Sequence, residues 1–155
     1  MAHIPEPTPG LIFRYGYLWL EEYRKGRTDP SKDRPACIIA RMAQHADHSL
    51  KIVDDVAVEP GDVIILPITT KPPGTGQISV ELTADEKRLC RLNPDFPSWL
   101  IVSEFNADIW PNADLSLIPG TNRIDYGIAR PGLMKRIGQE FRQAWRANRV
   151  FGIKR

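Results

Sequence analysis

Arg34 stands where chemistry is easiest to place on this chain. The run Ser31-Lys32-Asp33-Arg34-Pro35-Ala36-Cys37-Ile38-Ile39-Ala40 drives a charged segment straight into a short apolar strand, a boundary that holds an arginine at the rim of a sheet. Pro35 fixes its own φ, removes one backbone donor and biases Arg34 toward extended geometry, so the guanidinium has a stiff root. Forked donors on such a root suit an anion, and the competing reading is a surface charge beside a strand-opening proline. Farther along, Asp62-Val63-Ile64-Ile65-Leu66-Pro67-Ile68-Thr69-Thr70 is a near-continuous apolar strand that ends in a proline and two hydroxyls. His45 and His48 have an i, i+3 spacing that can bind metal on a helix, but two imidazoles without a third ligand are the pattern of surface residues. No metal or cofactor is expected. Cys37 and Cys90 lack metal-ligand spacing and are read as buried thiols.

The elements that must position these residues are short. Gly10 to Trp19 is rich in aromatic and aliphatic residues and reads as the first strand. Leu20 to Asp33 carries eight charged residues with Gly26 and Pro30, which predicts a long exposed loop. Pro35 to Met42 is the second strand, buried on both faces. Between Ala43 and Gly61 the pattern is ambiguous, with Lys51–Val53 and Val56–Val58 as strand candidates. Pro67 near the end of the next strand favours an edge or a terminus over a centre. Gln77–Leu82 alternates as a strand. Thr83 and Glu86 form a capping-box signature that places a short helix within Leu82–Leu92. Ser98–Phe105, Leu115–Ile118 and Tyr126–Ala129 are further strand candidates. From Pro131 onward Leu133, Ile137, Phe141 and Trp145 recur every four residues, the stripe of an amphipathic helix.

At 155 residues, with 42% hydrophobic and 26% charged residues, the chain has the size and composition of one ordinary soluble domain, 1–155. Residues 1–9, polar and proline-rich, read as an extended arm and not as a signal or transit peptide, and no run reaches the length of a membrane span. A cytoplasmic location follows as the expectation. The net charge of +2 conceals an asymmetry. Residues 130–155 hold eight basic groups against Glu140 alone, so this segment is a candidate for meeting an acidic surface, either nucleic acid or an acidic partner. Taken together, several short strands, an inserted short helix and a C-terminal helix predict a mainly β fold, a small curved barrel closed by helices.

In that order the pieces resemble the MazF/PemK/Kid family of toxins from bacterial toxin-antitoxin systems. The resemblance is carried by Gly10-Leu11-Ile12, by Arg34-Pro35-Ala36-Cys37-Ile38-Ile39 after the long loop, and by Leu66-Pro67-Ile68-Thr69, with weaker likeness through Ile101-Val102-Ser103-Glu104-Phe105 and the terminal helix. It implies an SH3-like barrel, a homodimer, a cognate antitoxin as partner, and metal-independent cleavage of single-stranded mRNA to 2′,3′-cyclic phosphate and 5′-OH ends. It also implies that Arg34 and Thr69 are the paired catalytic positions. Such cleavage needs the 2′-OH to lose its proton, the crowded phosphate to be stabilised, and the leaving 5′-oxygen to be protonated; arginine suits the phosphate and a threonine hydroxyl can donate to a non-bridging oxygen. Threonine and arginine are poor bases, so the proton acceptor falls to Glu21 or Glu22, folded back over the site.

The loop before Arg34 is longer and more charged than the family's, and Lys32 replaces the usual glycine two residues before the arginine. That loop can form one wall of an RNA groove, with Lys25, Arg27 and Lys32 on phosphates, Trp19 or Tyr23 stacking on bases, and Thr70 and Lys71 beside Thr69. Two other classes remain open. Phe151-Gly152-Ile153 loosely resembles the end of the CcdB toxins, which bind DNA gyrase, and a catalytically silent nucleic-acid-binding barrel would also fit the charge.

Overall fold

A computed structural model describes residues 3–42 and 50–155. The predicted ambiguity between Ala43 and Gly61, and both His45 and His48, fall largely or wholly outside these. Among the described residues the chain is mainly β, with eight strands in one open sheet and three α-helices. The strands are β1 (Leu11–Gly16), β2 (Asp33–Arg41), β3 (Val63–Thr69), β4 (Ser79–Glu81), β5 (Trp99–Ile101), β6 (Glu104–Asp108), β7 (Asp125–Ile128) and β8 (Phe151–Lys154). The helices are α1 (Leu20–Arg24), α2 (Ala84–Leu89) and α3 (Pro131–Arg146). The sheet runs β4-β5-β3-β2-β1-β7, and β6 joins it by pairing with both β3 and β8.

β3 is the hub. It pairs with β2 along one side, while its other side passes from β6, through Ile65, to β5, from Ile68 onward. Pro67 sits at this hand-over, where the missing N–H breaks no ladder bond, so a proline is tolerated in a central strand and the edge predicted from it is not found. A register irregularity between Ile38 and Ala40 bends β2 against β3, as bulges do.

Alternation along the strands divides the core in two. One face carries Ile12, Cys37, Leu66 and Leu100 against Leu133 and Ile137 of α3. The other carries Phe13, Tyr15, Tyr17, Ala36, Ile38 and Ile65. On that second face the aromatic residues at every second position make a ladder: Phe13 to Tyr15 at 5.6 Å, Tyr15 to Tyr17 at 6.5 Å and Tyr17 to Trp19 at 5.1 Å between centroids. Both cysteines are buried, and burial pushes the Cys37 thiol up to about 12.

Several sequence expectations shift. The predicted loop 20–33 begins with α1, whose N-terminus holds Glu21 and Glu22 in its first turn. Ser98–Phe105 is two strands, β5 and β6, and Leu115 makes only an isolated bridge to Tyr15. Neither Lys51–Val53 nor Val56–Val58 is a strand: Ile52 bridges Gly152 and a 3₁₀ turn follows at Val53–Asp55. On α3 the buried stripe runs Leu133, Ile137, Ala144, leaving Trp145 40% exposed. The capping box is as predicted, with Glu86 N–H donating to Thr83 Oγ1 at 3.1 Å and Thr83 N–H to Glu86 Oε1 at 2.8 Å. The N-terminal arm is docked: Trp110 Nε1 donates to the carbonyl of Pro5 at 3.0 Å. Among the described residues no helix is long and apolar enough to cross a membrane.

β8 was not predicted. It runs parallel to β6 with Gly152 opposite Phe105, and a Cβ built on Gly152 would lie 2.1 Å from Phe105 Cζ. Since Phe105 is fully buried it has nowhere to move. Gly152→Ala should therefore destabilise the fold by about 3 kcal/mol, the upper end of ordinary overpacking costs. Chemical denaturation checks this; a midpoint equal to wild type would mean that β8 can separate from β6 without loss.

Candidate functional site

The β2–β3 register sets Ala36 opposite Pro67 and Cys37 opposite Leu66. Carried on toward the start of β2, the same register places Arg34 across from Thr69, on the face of the aromatic ladder. Both residues line one open groove of about 1270 Å³. Seven basic and four acidic side chains line it, so its field favours an anionic ligand.

Arg34 is half-buried and its guanidinium lies over the Trp19 ring, 4.9 Å from the centroid. Such a stack contributes about 0.5–2 kcal/mol and fixes the plane of the fork. Its Nε is buried without a hydrogen-bond partner, and no ion pair forms on it among the described residues. Burial lowers its pKa, opposed by the negative charges of Glu22 and Glu104. Thr69 is 9% exposed and its Oγ1 accepts from the Lys71 backbone N–H at 3.1 Å, which leaves the hydroxyl proton free to donate.

The sequence reading missed Glu104. It begins β6, lines the groove and is 7% exposed. Its Oε1 accepts from Leu20 N–H at 2.9 Å and from the Tyr17 hydroxyl at 3.1 Å, while no donor among the described residues reaches Oε2. Burial raises its pKa above the ordinary carboxylate range; the Leu20 and Tyr17 hydrogen bonds and the Arg24 charge pull the other way. A buried carboxylate with one free oxygen and a raised pKa is a stronger base than an ordinary one and is suited to proton transfer. Tyr17 itself is held far above its usual pKa by burial and by Glu104, so it stays a proton donor to the carboxylate.

Glu21 and Glu22 also line the groove, in other states. Glu21 pairs with Lys25 at 3.0 Å on the surface, and that hydrogen bond and charge lower its pKa, which weakens it as a base. Glu22 accepts from Trp19 N–H at 3.3 Å and lies 3.8 Å from Arg27, so it caps α1 beneath Trp19. Lys25, Lys32, Thr70 and Lys71 also line the groove. Arg27 is not among its lining residues, and Tyr23 donates to Asp54 and lines a separate, smaller cavity. Trp19, predicted as a base platform, has its face on Arg34.

Of the basic residues in 130–155, Arg149 alone lines the groove, its Nη2 donating to the Gly76 carbonyl at 3.3 Å. Arg136, Lys154 and Arg155 are each paired at 2.6 Å, with Glu86, Asp62 and Asp114. Three of the eight basic groups in this segment thus hold the fold together. No family model, curated protein or solved structure matches the chain.

The raised pKa of Glu104 has a stability consequence. Between the ordinary value of about 4.3 and its own, folding takes up a proton; stability is full below that window and is lost as pH rises through the folded value. Glu104→Gln keeps an acceptor for Leu20 and Tyr17 and removes the buried charge. Its Tm should exceed that of wild type at pH 8, and the gap should close as pH falls toward 4. Thermal unfolding at several pH values tests this, and a variant less stable than wild type at pH 8 would mean the charge is a net stabiliser.

Proposed function

We propose that this protein is a metal-independent endoribonuclease of the MazF/PemK/Kid type, acting on single-stranded RNA. The observation that carries this reading is the convergence of Arg34, Thr69 and buried Glu104 on one basic groove, with the Arg34 Nε unpartnered. In this scheme Glu104 Oε2 takes the 2′-OH proton, and the 2′-oxygen attacks the adjacent phosphorus. Arg34, held flat on Trp19, and the Thr69 hydroxyl stabilise the charge that develops on the non-bridging oxygens. The groove is open, so solvent supplies the proton to the leaving 5′-oxygen. A 2′,3′-cyclic phosphate and a 5′-OH result. The base is therefore assigned to β6 and not to Glu21 or Glu22.

The same reading carries an SH3-like ancestry for the curved sheet, a homodimer, a protein antitoxin and a cytoplasmic setting, all of which rest on the family resemblance. The gyrase-binding alternative is placed second, since Gly152 and Ile153 of the motif that suggested it are buried in β8, with Phe151 half-buried beside them.

On a mixed-sequence RNA with EDTA present, wild type should leave 2′,3′-cyclic phosphate ends. Arg34→Ala and Arg34→Lys should each lose about a hundredfold or more in rate, the cost of removing preorganised donors. Thr69→Val should lose about tenfold. Glu104→Gln should lose at least about a hundredfold and flatten the acidic limb of the pH–rate profile, which in wild type falls as Glu104 protonates. Strict dependence on a divalent ion, or full activity in Arg34→Ala, would overturn the mechanism.

A further inference from the structure

Helix α3 carries a row of charge that nothing else in the fold answers. At about 100° per residue, Lys135, Arg142 and Arg146 fall within about 40° of one another, directly opposite the buried Leu133, Ile137 and Ala144. All three are exposed. Glu140, the one acid of the helix, lies at least about 120° round from each of them. No ion pair involves the three among the described residues. Other cations on the surface differ, since Lys25, Arg27, Arg88, Arg123 and Arg136 each sit against a carboxylate. Like charges one turn apart weaken a helix, so the row does nothing for the stability of α3 itself. Gly138 gives Arg142 room to lie along the helix: a Cβ there would be 3.0 Å from Arg142 Nη1.

The row runs into the groove. Asn148 and Arg149 follow the end of α3, and both line the groove that holds Arg34, Thr69 and Glu104. Arg142 and Arg146 are about 6 Å apart along the helix axis, with Lys135 about 10 Å beyond. Together with Arg149, four cations lead away from the groove. A compact anion meets one of them, whereas a polymer with a charge on every unit meets them in turn. Continuity with the groove selects the polymer: a strand that occupies the groove and leaves past Arg149 comes onto this face of α3.

We infer that α3 is an outlying track for the RNA strand beyond the groove, so that the preferred substrate is a long single strand and not a short oligonucleotide. This deepens the nuclease reading and rests on it. The chemistry stays with Arg34, Thr69 and Glu104, and α3 adds affinity without touching the reacting atoms.

The test uses the full chain and 2′-fluoro RNAs, which cannot be cleaved, of about six and about twenty nucleotides, below and above the span of a single-strand site that reaches past the groove. Substituting Lys135→Gln, Arg142→Gln and Arg146→Gln together should weaken binding of the long RNA about tenfold and make its salt slope shallower by about 2, the share of three phosphate contacts. The short RNA should bind as it does to wild type. With the 2′-hydroxyl counterparts, KM should rise about tenfold on the long RNA alone and kcat should not change. The pair Arg142→Lys and Arg146→Lys should keep most of the affinity, because a track along phosphates needs charge and not a fork. Should the triple variant fail to fold, the single variants Arg142→Gln and Arg146→Gln are used, each losing about twofold on the long RNA. No loss on the long RNA, or an equal loss on both, overturns the track and leaves the nuclease reading intact. Polyglutamate that binds through the same three residues while the long RNA gains nothing from them also overturns it, in favour of an acidic protein partner. Binding of the long RNA through α3 by a wild type that leaves its 2′-hydroxyl counterpart uncut supports the RNA track and removes the nuclease.

Discussion

Glu104, Asn106 and Asp108 point to one side of β6, and each holds part of the chain that leads into the groove. Asp108 accepts from the Tyr15 hydroxyl at 2.7 Å, and Glu104 from Tyr17 and Leu20. Asn106 takes Leu18 at both ends, accepting from its N–H at 3.0 Å and donating to its carbonyl at 2.8 Å. Leu18 lies beyond the end of β1, where no neighbouring strand can satisfy its backbone, so a side chain substitutes for the ladder. This polar row fixes where β1 stops and α1 begins. Trp19, sitting between the two, is thereby placed under Arg34.

The same row makes the buried Glu104 tolerable. A carboxylate nearly removed from water is destabilising unless donors are fixed beside it. Glu104 has them because Tyr17 and Leu20 are already held by their neighbours in the row. Arg155 closes the far end: its Nη1 donates to Asn106 Oδ1 at 3.0 Å and to the Gly16 carbonyl at 2.9 Å, while Nη2 reaches Asp114. Charge and hydrogen bonding therefore do on this face what side-chain packing against α3 does on the other.

What could be read from the sequence was what depends on near neighbours. The Thr83–Glu86 capping box is complete within four residues and is found as read. Arg34 and Thr69 mark strand ends that composition reveals, and their joint position on the groove follows from a register that unbroken apolar runs define. Glu104 was hidden because β5 and β6 read as one strand ending at Phe105, which concealed the alternation of polar side chains at 104, 106 and 108. α1 was hidden for a related reason: five residues make a poor helix alone, and this one is held by Glu104 on Leu20. β8 depends on a parallel partner some fifty residues away, which local patterning cannot show. On α3 a strict four-residue spacing drifts off the buried face, and Ala144 takes the place given to Trp145.

The hydrogen bonds from Tyr15, Tyr17 and Leu20 to β6 span 84 to 93 positions of sequence. Such pairings close large loops and lower the rate at which a chain reaches its native topology. During synthesis, β1 and β2 emerge early but Arg34 has no settled surroundings until β6 has followed, and the row is not closed until Arg155 docks. The basic groove is thus among the last parts of the molecule to form, and a nascent chain carries Arg34 and Thr69 long before they are brought together on it.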